Sequence, residues 1–483
     1  METAVGRGFS RGAIWSDLDG GFVLAGRMPW MKVFLGGMAF VLLLGGFGLY
    51  GAVFDSLRGD DLPLDYRSMD VRRGVEDAEV NGYTALRELA QEHQIELGDD
   101  FEALFNAPRE DWEVDAMAGL VDRHARVFED VEAAFEKPEF YFDQAITPET
   151  TIPEVGFLRR YVQLAVLQVR VNLARDEDLQ ALERLLALES QIGVYSQSGG
   201  GLISLLTAVA CYGILQEELT AFLAEATLKP EVFAAAGKHL EFHRGLPRAV
   251  QTAMRHEFHF SKYCIRMMEK DPHGSLNGIS DLIGGGAGEG SEFEKQMYEW
   301  VVGIAFKPVR TTNRIYRAYA EMIEEADRLA AQREFKVWRE LMADLEDQSR
   351  RRLLSRNAVG RILLRILVPA VEPVMDHVDR THATGAAMQA ILALRAYFGE
   401  RGELPETLDQ LVPEYLSAVP EDPFDGKPMR YSKTKAIVYS VGKDLVDSGG
   451  SAQPFRHELE ADDERDPAER DLSEPTFPLR FAW

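Results

Sequence analysis

Four histidines crowd one stretch of the chain, His239, His243, His256 and His259, with Glu241 and Glu257 beside them. His239 and His243 stand one turn apart on an expected helix, and His256 and His259 stand three apart on the next. On antiparallel neighbours the four imidazoles would converge on a zinc, iron or manganese ion. That reading makes the chain a membrane-anchored metal-dependent enzyme. The His-Glu-x-x-His pattern of metalloproteases is not met, because Glu241 is misplaced in His239-Leu-Glu-Phe-His243 and His256-Glu-Phe-His259 is one residue short. The other reading places the same histidines on a polar face beside Arg244, Arg248 and Arg255.

Other chemistry finds less support. There is no Gly-x-Ser-x-Gly nucleophile elbow, and the glycine-rich Gly284–Gly290 lacks the strand before it and the Gly-Lys-Ser/Thr after it that phosphate binding needs. No catalytic residue is assigned. Cys211 and Cys264 show no metal-ligand spacing. Cys211 lies in an apolar segment and reads as a buried small hydrophobe. Outside the cytoplasm the two could also pair, closing a loop of about 50 residues worth about 4 kcal/mol.

The elements that must hold these groups are mostly helical. From about Val71 to Thr381 apolar residues recur with helical period, as in Leu179, Leu182 and Leu186 among Asp176, Glu177, Glu183 and Arg184. Breaks fall at Pro148–Pro153, Ser196–Gly201, Gly245–Pro247 and Lys270–Gly290. The formal net charge is -26, and no basic patch offsets it, which argues against nucleic acid as a partner.

Val33–Phe54 is a run of 22 residues without a charge. At about 1.5 Å per residue it is long enough to cross a hydrocarbon core of about 30 Å. It exceeds the apolar stretch of a cleavable signal peptide, so an uncleaved anchor is expected. Arg27 and Lys32 precede the run, whereas Asp60 and Asp61 follow Arg58, which favours a cytoplasmic N-terminus. Met28-Pro-Trp-Met-Lys32 would itself make an ordinary start, so residues 1–27 are either an extension or upstream of the true start. The shorter apolar segments at Leu202–Leu215 and Arg361–Val371 read as core helices rather than second spans. Gly45, Gly48 and Ala52 share one face of the run and would let two copies approach closely as a homodimer.

The expected division is a cytoplasmic segment at 1–32, a transmembrane helix at 33–54, a tether at 55–70, a helical domain at 71–381 and an α+β domain with an acidic tail at 382–483. The fold class is therefore mainly α, with a large extracytoplasmic helical domain and a small C-terminal domain of one helix and about three antiparallel strands.

In the last domain a helix from about Thr384 to Arg401 runs into turns punctuated by Pro405, Pro413, Pro420 and Asp422-Pro423, then Asp425-Gly426. Two short strands follow at Arg430–Ser432 and Ile437–Val441, then Gly442-Lys-Asp444 and Asp447-Ser-Gly449-Gly450. Alternating Phe477, Leu479, Phe481 and Trp483 suggest a third strand returning to the sheet. Ala393 and Tyr397 would face it, and Leu408, Leu411, Tyr415, Leu416 and Phe424 would fill a small core.

This order of residues resembles the C-terminal domain of the major pseudopilin of type II secretion systems, over about a seventh of the chain. The whole also looks like a group of large membrane proteins that pair a helical region with this ending, with Phe306-Lys-Pro308 and the helix following Asn313 in their manner. The resemblance implies a calcium-binding loop, with Asp444 and Asp447 as carboxylate ligands and Asp462 or Asp463 joining from the acidic tail. The family has glycine after the first aspartate, whereas Leu445 stands here and is expected to resist a left-handed turn. A solvated acidic hairpin closed by Gly449-Gly450 is the alternative. No pilin cleavage motif precedes the apolar run, and some 330 residues separate that run from the pilin-like domain, which argues against incorporation into a filament. The expected role is that of a single-pass inner-membrane protein, periplasmic for most of its length, structural or interactive in kind and associated with a secretion or pilus-like assembly. A calcium-stabilised ligand-binding or sensor ectodomain is a third reading.

Overall fold

A computed structural model describes residues 60–93, 95–98, 101–240, 242–271, 305–346, 357–368, 371–450 and 475–479. The apolar run at 33–54, the glycine-rich 284–290 and both Asp462 and Asp463 lie outside these residues.

The N-terminal part of the body is built from α1 (Gly82–Glu92), α2 (Phe101–Asn106), α3 (Val114–Arg123) and α4 (Ala125–Phe135). Of these, α1 and α3 pack on α5 (Pro153–Ala174) and α4 packs on α1, and α5 leads into α6 (Asp178–Gln197) and α7 (Gly201–Glu225). Asn81 starts α1 by accepting the amide of Tyr83 at 3.2 Å, while its Nδ2 donates to the carbonyls of Val75 and Tyr141. Pro153 opens α5 from the first helical position, where its missing N–H costs nothing.

Helix α7 is apolar all round and touches α5, α6, α9 (Leu246–Lys270) and α13 (Val371–Arg401). It is the described helix that is long and apolar enough to cross a membrane, and it occupies the middle of the core instead, burying Leu205, Ala208, Cys211, Leu215 and Phe222. It is longer than the expected Leu202–Leu215 because Gln216, Glu217 and Glu218 continue the helix, with Glu218 buried against Arg170 at 2.9 Å.

The buried stripe of α6 is Leu182, Leu185, Leu188, Ile192 and Tyr195. Leu179, expected on that stripe, is exposed in the first turn. Cys211 and Cys264 are both free thiols, and burial pushes each up to about 12.

The remaining helices are α8 (Pro230–His239), α10 (Pro308–Ala326), α11 (Lys336–Glu346) and α12 (Ala358–Leu367). Helix α10 lies along α9, and α8 lies along α13. Gly237 makes that second approach close, since a Cβ there would meet Gln389 O and Leu392 Cβ at 3.4 Å, and Gln389 Nε2 reaches Gly237 O at 3.0 Å.

The C-terminal sheet is antiparallel in the order β1 (Arg430–Ser432), β2 (Ile437–Tyr439) and β3 (Thr476–Pro478). Tyr431 stands opposite Val438, and Val438 opposite Phe477. A short 3₁₀ turn follows Pro405 at Leu408–Leu411. Tyr397 packs edge-on against Tyr415 at 5.6 Å. Helix α13 is continuous through residue 382, and Leu408, Leu411, Tyr415, Leu416, Val438 and Phe477 belong to the same hydrophobic cluster as the helical body.

Candidate functional site

The four histidines are positioned by three segments. His239 ends α8 and is exposed, and the side chain of His243 lies outside the described residues. His256, 3% exposed, and half-buried His259 come from α9. His259 donates through Nε2 to the carbonyl of Met69 at 2.8 Å. His256 faces the phenyl ring of Phe142 edge-on at 5.6 Å and lies against Gly199. Burial lowers the His256 imidazole to about 4, with His259 and Arg73 adding to the effect. Among the described residues no three His, Cys, Asp or Glu side chains are grouped to hold a metal.

What His256 and Glu257 do meet is the turn between α6 and α7. Gly199, Gly200 and Gly201 carry φ of 110°, 85° and 79°, a left-handed run that side chains disfavour. A Cβ on Gly199 would come within 2.5 Å of His256 Nε2, and one on Gly201 within 2.7 Å of Glu257 Oε1. Glu257 Oε1 accepts the amide of Leu202 at 2.7 Å, which places a carboxylate on the positive end of α7. Desolvation nevertheless raises its carboxyl above the ordinary range.

Beside this turn, the Tyr83 hydroxyl donates to Glu154 Oε1 at 2.7 Å, and the Tyr83 and Tyr195 rings stack at 5.9 Å. Glu154 is fully buried in the first turn of α5, and burial raises its carboxyl. Thr84 and Arg87 both donate to the buried carboxylate of Asp143. Glu154 Oε2 and His256 Nε2 make no hydrogen bond. The cluster gathers proton-bearing groups at the starts of α5 and α7. The sequence signal for it was Ser198-Gly-Gly-Gly201, legible as a break but not as a seat for His256 and Glu257.

A cavity of about 20 Å³ opens between α6, α7 and α13, lined by Leu185, Glu189, Tyr212, Gln216, Leu240 and Met388. The Tyr212 hydroxyl and Gln216 Oε1 are buried there without a hydrogen-bond partner. The space suits one water, since a water needs about 10–15 Å³ and two or more polar partners.

The acidic loop after β2 is the second place sequence pointed to. Asp444 Oδ1 accepts the amide of Val446 at 3.0 Å, and Asp447 Oδ1 accepts the amide of Gly449 at 3.0 Å and the Tyr439 hydroxyl at 3.1 Å. Leu445 adopts φ 61°, so it takes the left-handed turn it was expected to resist. Its side chain and that of Val446 are exposed at the corner. The carbonyls of Gly449 and Gly450 are occupied by Lys435 Nζ, at 2.6 and 3.0 Å. One oxygen of each aspartate and both glycine carbonyls are thus engaged by amides, a hydroxyl and an internal ammonium, while Asp462 and Asp463, the other expected ligands, lie outside the described residues.

Asp422, expected only to shape a turn, is a densely engaged carboxylate among the described residues of the C-terminal unit. It is 0% exposed and accepts from Phe424 N, Ser440 Oγ, Val441 N and Arg430 Nη1. No protein-family model, no curated protein and no solved structure matches the chain.

Proposed function

We propose that this is a single-pass envelope protein, anchored by the run at 33–54, whose helical body presents the pilin-like unit to another protein of a secretion or pilus-like assembly. It acts by contact rather than by catalysis. The observation that carries the reading is the way the C-terminal unit is mounted. Its helix, α13, is also a core helix of the body, packed against α7 and α8. Buried Asp379 on α13 pairs with Arg333 at 2.5 Å, and Arg333 also donates to the carbonyls of Glu325 and Arg328. The backbone amides of Ala330 and Ala331 bond to Pro423 O and Phe424 O, at 3.3 and 3.0 Å. Beyond this mounted unit, the corner of the loop after β2 offers exposed Leu445 and Val446 between Asp444 and Asp447.

The test is photocrosslinking in native membranes from a reactive amino acid at position 446, with affinity capture of the full chain. Recovery of secretion or pilus-assembly components supports the proposal. Adducts confined to the chain itself or to lipid would overturn it.

A further inference from the structure

The segment after the apolar run is fastened to the body from Asp60 onward. Asp60 accepts the amides of Val309 and Arg310 at 2.8 and 3.0 Å, in the first turn of α10, where a carboxylate answers both the open N–H groups and the helix dipole. Asp61 lies 3.7 Å from Arg310. One turn further, buried Asn313 donates to Leu62 O at 2.8 Å and accepts from Leu64 N at 3.1 Å. The Tyr66 hydroxyl donates to the same Asn313 oxygen, and the Tyr66 ring packs on Phe258 and Tyr316 at 5.5 and 5.2 Å. His259 holds the carbonyl of fully buried Met69.

Residues 55–59 alone separate this clamp from Phe54, the last residue of the apolar run. Six Cα-to-Cα steps of extended chain reach roughly 20 Å at most. A headgroup layer of about 5–7 Å on each side of the hydrocarbon takes up part of that reach. The end of the body that carries Asp60 therefore cannot stand far from the bilayer.

We infer that this end, formed by Asp60–Leu64 and the N-terminal turns of α10 and α12, rests on the lipid headgroups of the membrane that holds the anchor, and that the clamp sets the orientation of the body. The inference rests on the run at 33–54 being a span. The two helix starts are joined here: Lys307 N donates to Asn357 Oδ1, and Asn357 Nδ2 to Thr311 Oγ1, both at 2.8 Å. Arg314 and Arg361 share the carboxylate of Asp344. Lys307, Arg310, Arg314 and Arg361 thus more than offset Asp60, Asp61 and Asp344, four cations against three carboxylates, on a chain of formal charge -26. An acidic protein meets anionic headgroups at least cost where its own negative charge is locally offset. Leu62, 86% exposed, is the apolar side chain that enters the headgroup layer.

The experiment uses the full chain in phosphatidylethanolamine–phosphatidylglycerol vesicles, with a fluorescent amino acid in place of Lys307 and a quencher attached to lipid headgroups. Lys307 lies far from the anchor in sequence, so its depth reports on the body. Emission is expected to fall about twofold relative to vesicles without quencher, given the short reach of the link. Inserting ten Gly/Ser residues between Gly59 and Asp60, which leaves the clamp intact, is expected to restore most of it. Replacing Leu62, exposed at the same end, by the same fluorophore provides a second reporter should the first variant fold poorly. Unquenched reporters in a protein that stays with the membrane through an alkaline wash would overturn the orientation while leaving the anchor standing. Release of the protein by the wash would overturn both.

Discussion

The buried carboxylate of Asp422 holds the guanidinium of Arg430 at 2.8 Å across the start of the C-terminal sheet. Arg430 lies on β1, and the other donors to Asp422 come from the turn at Phe424 and from Ser440 and Val441 just beyond β2. One side chain therefore joins three separate pieces of chain. Asp422→Ala strips that joint and leaves buried donors unanswered, and it is expected to lower stability by about 3 kcal/mol or more. Urea unfolding of the purified protein, followed by circular dichroism, checks this, and a loss below about 1 kcal/mol would show the joint to be dispensable.

His256 gives the stability a pH dependence of known sign. Burial holds its folded-state pKa near 4, below the ordinary 6.5, so the unfolded chain takes up its proton first. Stability is complete above about pH 6.5 and is lost as pH falls towards 4, by up to about 3 kcal/mol. His382, also lowered to about 4 by burial, acts in the same direction. Glu154 and Glu257, both raised by burial, act oppositely and recover part of the loss on acidification. His256→Gln is expected to flatten the fall between pH 6.5 and 4.5. Thermal melts across that range measure it, and an unchanged slope would count against a buried neutral imidazole.

The triglycine turn separates two costs that usually travel together. Gly402, at φ 71°, has nothing within 4 Å of its missing Cβ, so Gly402→Ala reports backbone strain alone, about 1 kcal/mol. Gly199→Ala adds a collision with His256 Nε2 and with Phe142 Cβ, both in the packed interior. It is expected to cost at least about 2 kcal/mol more than Gly402→Ala. Equal losses in chemical denaturation would mean that His256 swings away freely.

Lys435 supplies the positive charge at the Gly449-Gly450 turn. Millimolar calcium is accordingly expected to leave the melting temperature of the native protein unchanged, whereas Lys435→Met lowers it by a few degrees through loss of the two charged hydrogen bonds. Calorimetry with and without the ion decides this. A clear calcium-dependent rise would assign the loop to the metal and Lys435 to a bystander.

The legible parts of the fold were those written in local chemistry. Pro153, Gly201 and the Gly245-Leu-Pro247 step mark helix starts, and the period-two stretches at Arg430 and Ile437 became adjacent antiparallel strands. What escaped was long-range. Asp60 and Val309 are 249 residues apart, and nothing in either neighbourhood signals that one caps the other. The residues expected to form a tether are fastened from Asp60 onward for the same reason. His239, His243, His256 and His259 were singled out as a metal group because their spacing was visible, while the glycines that His256 and Glu257 sit against lie more than 50 residues away. Leu445 shows the limit of propensity, since the hydrogen bonds of Asp444 and Asp447 on either side are set against its preference and prevail.

Helix α13 spans Val371–Arg401 without a break. A cut between residues 381 and 382 would pass through its middle, where Thr381, Ala383 and Thr384 are buried. Neither product would inherit a finished surface: the body would lose the helix that α7 and α8 pack against, and the sheet would lose its backing. The sheet and the helical body are thus two faces of one packed unit, joined through a helix that neither can spare.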